Sequence, residues 1–168
     1  MKPIVSIIMG STSDLPVMEK AAQFLDEMEI PFEMNALSAH RTPREVEEFA
    51  SQAEGRGVQV IIAGAGMAAA LPGVIAASTT VPVIGVPVKG MLDGLDALLS
   101  IVQMPPGIPV ATVGVNGAQN AAILAAEMLA LADPALAQRL KAYKESLKQK
   151  IVKANTELAE VKYRSKVN

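Results

Sequence analysis

Residues 58–63 and 81–86, Val-Gln-Val-Ile-Ile-Ala and Val-Pro-Val-Ile-Gly-Val, are almost unbroken apolar runs with no regular alternation of polar and apolar side chains. A strand with one wet face alternates. A strand apolar on both sides has to be covered on both, which is the situation of parallel strands enclosed by helices. Residues 3–9 form a third apolar, β-branched run, closed by Gly10. None of these runs is long enough to span a bilayer, and the first stops too early, with no small-residue cleavage site, to read as a secretory signal. The chain is therefore expected to be cytoplasmic, its apolar fraction of 51% accounted for by buried strands and subunit contacts.

Helical periods separate the strands. Ser11-Thr12-Ser13-Asp14 favour a helix N-cap, Pro16 suits a first turn, and Val17, Ala21, Phe24, Leu25 and Met28 recur at helical spacing. A second strand over 32–37 leads into Ser38-Ala39-His40-Arg41, after which Thr42-Pro43-Arg44-Glu45 predicts a capping box with proline at the first helical position. Val46, Phe49, Ala50 and Ala53 carry that helix to Gly55-Arg56-Gly57. Beyond strands three and four, at 58–63 and 81–86, the pattern predicts a helix over 93–102 and a fifth strand over 108–115. A small-residue helix over 118–131 follows, and then a last helix, capped by Asp133, over about 134–161. That last helix would be about 40 Å long. It is expected either to pack on a neighbouring subunit or to break near Asn155 into a solvated tail.

Strand and helix alternate with short connections, so residues 1–168 are expected to form one α/β domain, a parallel sheet of about five strands with helices on both faces. Such sheets bind ligands at the carboxyl ends of their strands. Three loops should therefore meet at one edge: 10–14, 38–41 and 64–73.

The chain has no cysteine and a single histidine, which excludes thiol nucleophiles, disulfides and thiolate metal sites and argues against zinc. A net charge of -2, without a basic stripe or interleaved aromatics, argues against nucleic acid. His40 is then the one side chain whose ordinary pKa lies near neutrality. The run Gly10-Ser11-Thr12-Ser13-Asp14 offers hydroxyls and a helix N-terminus to a phosphate, with Asp14 free to accept from ribose hydroxyls; the same residues would also serve a plain cap. The run Gly64-Ala65-Gly66-Met67-Ala68-Ala69 imitates a dinucleotide fingerprint, but it follows the third strand and has no acid about 20 residues later. Its small residues would let a flat ring lie against the backbone, or simply form a tight turn. There is no P-loop and no nucleophile elbow, and Ala63-Gly64 stand where a phosphoacceptor receiver domain needs an aspartate.

Taken jointly, several segments resemble the class I N5-carboxyaminoimidazole ribonucleotide mutases of bacterial purine synthesis. They are Met9-Gly10-Ser11-Thr12-Ser13-Asp14, Ser38-Ala39-His40-Arg41-Thr42-Pro43, Val60-Ile61-Ile62-Ala63-Gly64-Ala65-Gly66, Leu71-Pro72-Gly73, Val83-Ile84-Gly85-Val86-Pro87 and Ser100-Ile101-Val102-Gln103-Met104-Pro105. The resemblance implies a three-layer flavodoxin-like fold, a homo-octamer with active sites at subunit junctions, and an isomerase that needs neither metal nor organic cofactor. It implies that the carboxyl group moves from N5 to C4 of the ribonucleotide through enclosed carbon dioxide, with His40 as general acid and base. Ser11, Ser13 and Arg41 would hold the phosphate and Asp14 the ribose. The backbone of Gly64, Ala65, Gly66 and Met67, with Ser38 and Leu71, would line the base and carboxylate.

The chain departs from that pattern at Met67, where many members have glycine, and at Ala70, where many have a second histidine before Leu-Pro-Gly. Two rivals stand beside the mutase: the class II carboxylase, which takes free carbon dioxide, and a nucleotide-binding module without catalysis. Arg41 and the Ala63-Gly64-Ala65-Gly66 run favour the mutase over the class II pattern of lysine after the histidine.

Overall fold

Alternate side chains of the central strands serve two separate cores. In the computed structural model, which describes residues 2–167, Val5, Ile7 and Met9 of β1 (Val5–Met9) join one buried cluster and Ile8 the other. In β3 (Val60–Gly66), Val60 and Ile62 face the first cluster while Ile61, Ala63 and Ala65 face the second. The parallel register Val5↔Val60 and Ile7↔Ile62 keeps equivalent residues on the same side. This is the two-sided burial that unalternating apolar runs require.

With β2 (Phe32–Ala36), β4 (Val83–Val88) and β5 (Ala111–Thr112) the sheet is parallel throughout in the order β2-β1-β3-β4-β5. The flavodoxin-like order 2-1-3-4-5 has its switch point between β1 and β3. Helices α1 (Leu15–Glu27) and α5 (Ala118–Ala130) cover one face, with the start of α6 (Pro134–Glu160) against α5. Helices α2 (Pro43–Arg56), α3 (Leu71–Ala77) and α4 (Leu95–Val102) cover the other. The expected three-layer α/β architecture is the one observed.

Several boundaries differ from the sequence pattern for identifiable reasons. Strand β3 runs on through Gly64, Ala65 and Gly66, which pair with Val86, Pro87 and Val88 of β4, so the glycine run is sheet before it is loop. The fifth strand contracts to two residues, and Pro109, which supplies no amide hydrogen, stands just before it. Helix α4 begins two residues late, since Leu92, Asp93 and Gly94 take left-handed φ values of 45°, 55° and 89°. In α1 the first buried position is Met18, ahead of Ala21, Phe24 and Leu25, while Val17 is only half-buried. Helix α6 passes Asn155 without a break, its start held by Asp133, whose carboxylate accepts from Ala135 and Leu136 at 2.9 and 3.0 Å. Among the described residues no helix is long and apolar enough to cross a membrane.

Candidate active site

The three carboxyl-end loops meet over the switch point around a cavity of about 680 Å³, within the range of small-ligand sites. The first loop follows β1. The Gly10 N–H donates to the Gly64 carbonyl at 3.3 Å, tying it to β3. Ser11 caps a single 3-10 turn, Thr12–Asp14, its hydroxyl accepting the Ser13 N–H at 3.3 Å, and this turn intervenes between the strand and α1. Burial pushes the Asp14 carboxyl above its ordinary 3.8, opposed by hydrogen bonds from the Ser11 and Gly10 backbone and from the Ser13 side chain.

The second loop follows β2. Ser38 accepts from Arg41 twice, its Oγ lying 3.2 Å from the Arg41 backbone N and 3.4 Å from Arg41 Nε. The expected capping box is absent. Thr42 is the N-cap of α2 and Pro43 its first residue, but the threonine hydroxyl bonds back to Ser38 instead of forward into the helix. Threonine hydroxyls regularly find such local backbone partners. The result is a closed turn from Ser38 to Thr42 that carries His40, exposed, in the cavity wall.

The third loop leaves β3 at Gly66, with Met67 and Ala69 both at positive φ, 52° and 35°, and Ala69 N–H on the Gly66 carbonyl at 3.0 Å. Leu71, buried, starts α3. Ser11, Ser13, Asp14, Ser38, His40, Arg41, Ala65, Gly66, Met67 and Leu71 all line the cavity. Gly64 does not. A Cβ there would collide with the side chain of Met18, so its glycine serves the close approach of α1 to the sheet.

The cavity has a further wall that the sequence reading missed: Val88, Lys89 and Gly90, at the carboxyl end of β4. The rule that ligands sit at strand ends applies to β4 as to the others; what was lacking was the register that sets β4 beside β3. Among the described residues no group of three His, Cys, Asp or Glu is placed to hold a metal ion. What the arrangement offers is an exposed imidazole, a guanidinium, hydroxyls and a cationic amine around a pocket floored by small residues.

Order of strands and place of cavity define a flavodoxin-like α/β protein with its cavity at the switch point, where such folds take their ligands. The chain belongs to the AIR carboxylase family, which it matches over residues 4–150. It is 61% identical over 148 residues to the N5-carboxyaminoimidazole ribonucleotide mutase of Pyrococcus abyssi, covering 88% of this chain and 85% of that protein. To the mutase of the same name from Thermotoga maritima it is 53% identical over 99% of this chain and 98% of the relative. The solved structure of Treponema denticola PurE superposes with a TM-score of 0.84 at 34% identity, over 93% of this chain and 98% of that one.

Proposed function

We propose that this chain is an N5-carboxyaminoimidazole ribonucleotide mutase, an isomerase of purine biosynthesis that moves the carboxyl group from N5 to C4. One observation carries the reading: the chain's single histidine stands in the wall of one cavity with Ser11, Ser13, Asp14 and Arg41, in a sequence 53–61% identical to enzymes named for that reaction.

The chemistry follows from what these groups can do. Ser11 and Ser13 with Arg41 present donors to a phosphate, and Asp14 accepts from ribose hydroxyls. Cleavage of the N5–carboxyl bond releases carbon dioxide and leaves the electron pair on nitrogen, which takes a proton from the His40 imidazolium. C4 then attacks the carbon dioxide, and the proton it loses returns to the imidazole, so acid and base are one residue and no proton is consumed. Carbon dioxide must stay beside the ring between these steps, which calls for enclosure and not for covalent catalysis. We assign the enzyme to the cytoplasm and to a homo-octamer. Leu147, Ile151, Val152 and Leu158 on the distal half of α6 are exposed within one chain, which supports contact with a neighbour there.

The decisive assay supplies either the N5-carboxylated ribonucleotide or the uncarboxylated one with bicarbonate, and follows the C4-carboxylated product. The first should turn over rapidly and the second little. The reverse preference makes the enzyme a class II carboxylase, and conversion of neither makes the cavity a binding module.

A further inference from the structure

Arg41 is not the only cation of the cavity. Lys89 follows the last residue of β4 and contributes to the cavity wall. Its backbone is fixed: the Lys89 N–H donates to Asn116 Oδ1 at 2.8 Å, and the Asn116 N–H in turn donates to the Pro87 carbonyl at 2.8 Å. Gly94 packs behind it, where a Cβ would stand 3.3 Å from Lys89 Cα. The ammonium is held far more loosely. It pairs with Asp93 Oδ1 at 3.0 Å, but the two side chains are 57% and 88% exposed. Such surface pairs are worth little and exchange partners at small cost.

The position of Lys89 decides what it would bind. Arg41 lies beyond the end of β2 and Lys89 beyond the end of β4, and β1 and β3 stand between them. Three strand spacings separate those strand ends, about 14 Å. At the Arg41 side the phosphate already has Ser11 and Ser13 as donors in the same cavity wall, which leaves Lys89, on the opposite side, for another group. A carboxylated ribonucleotide carries a second anion, on its base, and a nucleotide whose phosphate sits at the serine and Arg41 side extends its base across β3 toward β4.

The geometry points to Lys89 as a further ligand of the migrating carboxylate, released from Asp93 when substrate binds. This rests on the mutase reading of the site. The carboxylate is present on both substrate and product and its charge vanishes in the carbon dioxide between them, so the interaction stabilises the bound ground states and not the passage between them. Its loss is therefore carried by KM more than by kcat.

The test is Lys89→Gln in the full chain, with binding of the C4-carboxylated and the uncarboxylated aminoimidazole ribonucleotides measured by calorimetry. The carboxylated nucleotide should weaken about tenfold to a hundredfold, as for loss of a hydrogen bond between charged groups, and the uncarboxylated one should change by less than about twofold on the same scale. Lys89→Arg should restore much of the difference, and Asp93→Asn, which frees the ammonium, should tighten the carboxylated nucleotide alone. Equal weakening of both nucleotides, or of neither, overturns the assignment. Failure of the mutase reading is seen separately, in wild-type protein that turns over neither substrate.

Discussion

Thr42 closes on Ser38. Its hydroxyl accepts the Ser38 N–H at 2.9 Å and lies 3.1 Å from the Ser38 carbonyl, to which it donates, while the Thr42 N–H reaches the same carbonyl at 2.8 Å. His40 is carried on the loop so pinned. Thr42→Val keeps the shape and removes both hydroxyl bonds, leaving the Ser38 N–H without its partner. Stability should fall by about 1–2 kcal/mol in urea denaturation, and turnover should fall with it because the imidazole loses its fixed position. Thr42→Ser should recover most of both. A Thr42→Val protein as stable and as active as wild type shows that the turn is held by backbone alone.

His40→Gln tests the proposed proton carrier itself. Glutamine fills similar space and hydrogen-bonds, yet cannot titrate, so turnover should drop by about a hundred to ten-thousandfold. Nucleotide affinity should remain near wild type, because in the proposed site Ser11, Ser13 and Arg41 hold the phosphate and Asp14 the ribose, without His40. No second histidine exists to substitute. A variant within about threefold of wild-type kcat, against the range expected of acid–base groups, would remove His40 from the chemistry.

Asp14 gives a pH signature. Its carboxyl is raised in the folded protein, chiefly by burial, so between 3.8 and its higher folded value the native state holds more proton than the unfolded chain. Stability contributed by this group thus declines as pH rises through that window and stays diminished at neutrality. Asp14→Asn should accordingly be more stable than wild type at pH 7, with the gain disappearing below about pH 3.8, the ordinary carboxyl value. It should also bind the ribonucleotide more weakly, by about tenfold for one lost charge-assisted hydrogen bond. A stability gain that persists unchanged into acid would rule out the buried charge as its cause.

Much of this was legible in the chain. The unalternating runs imply parallel strands covered on both faces, and the first-turn Pro43 and the Asp133 cap place two helix starts to within a residue. The carboxyl-end rule alone gathers Ser11, His40 and Met67 at one edge. What stayed hidden depends on tertiary register or on competing local bonds. Gly64 and Gly66 have no strand propensity, and only pairing with Val86 and Val88 draws them into β3. The Thr42 hydroxyl chose Ser38 over its own helix, which sequence spacing cannot decide. Lys89 was overlooked because nothing near it in the sequence shows that β4 is the neighbour of β3.

Helices α1 and α2 end in the same way with different residues, and the difference is measurable. After α2, Gly57 at φ 92° donates to the Glu54 carbonyl at 2.9 Å while Val58 donates to Ala53 at 3.1 Å. After α1, Glu29 at φ 55° donates to Asp26 at 2.9 Å and Ile30 to Leu25 at 2.9 Å. Both are Schellman ends, which favour glycine at the left-handed position. Glu29 is exposed, precedes β2 at the edge of the sheet away from the cavity, and pays the Cβ clash of that conformation with no ion pair in return among the described residues. Glu29→Gly should therefore stabilise the protein by about 1 kcal/mol, seen as a midpoint higher by about 2–4 °C, with turnover unchanged. Gly57→Ala should move stability the other way by a similar amount. If Glu29→Gly lowers the midpoint, the left-handed end of α1 is not strained, and the lost side chain has a role that its exposure conceals.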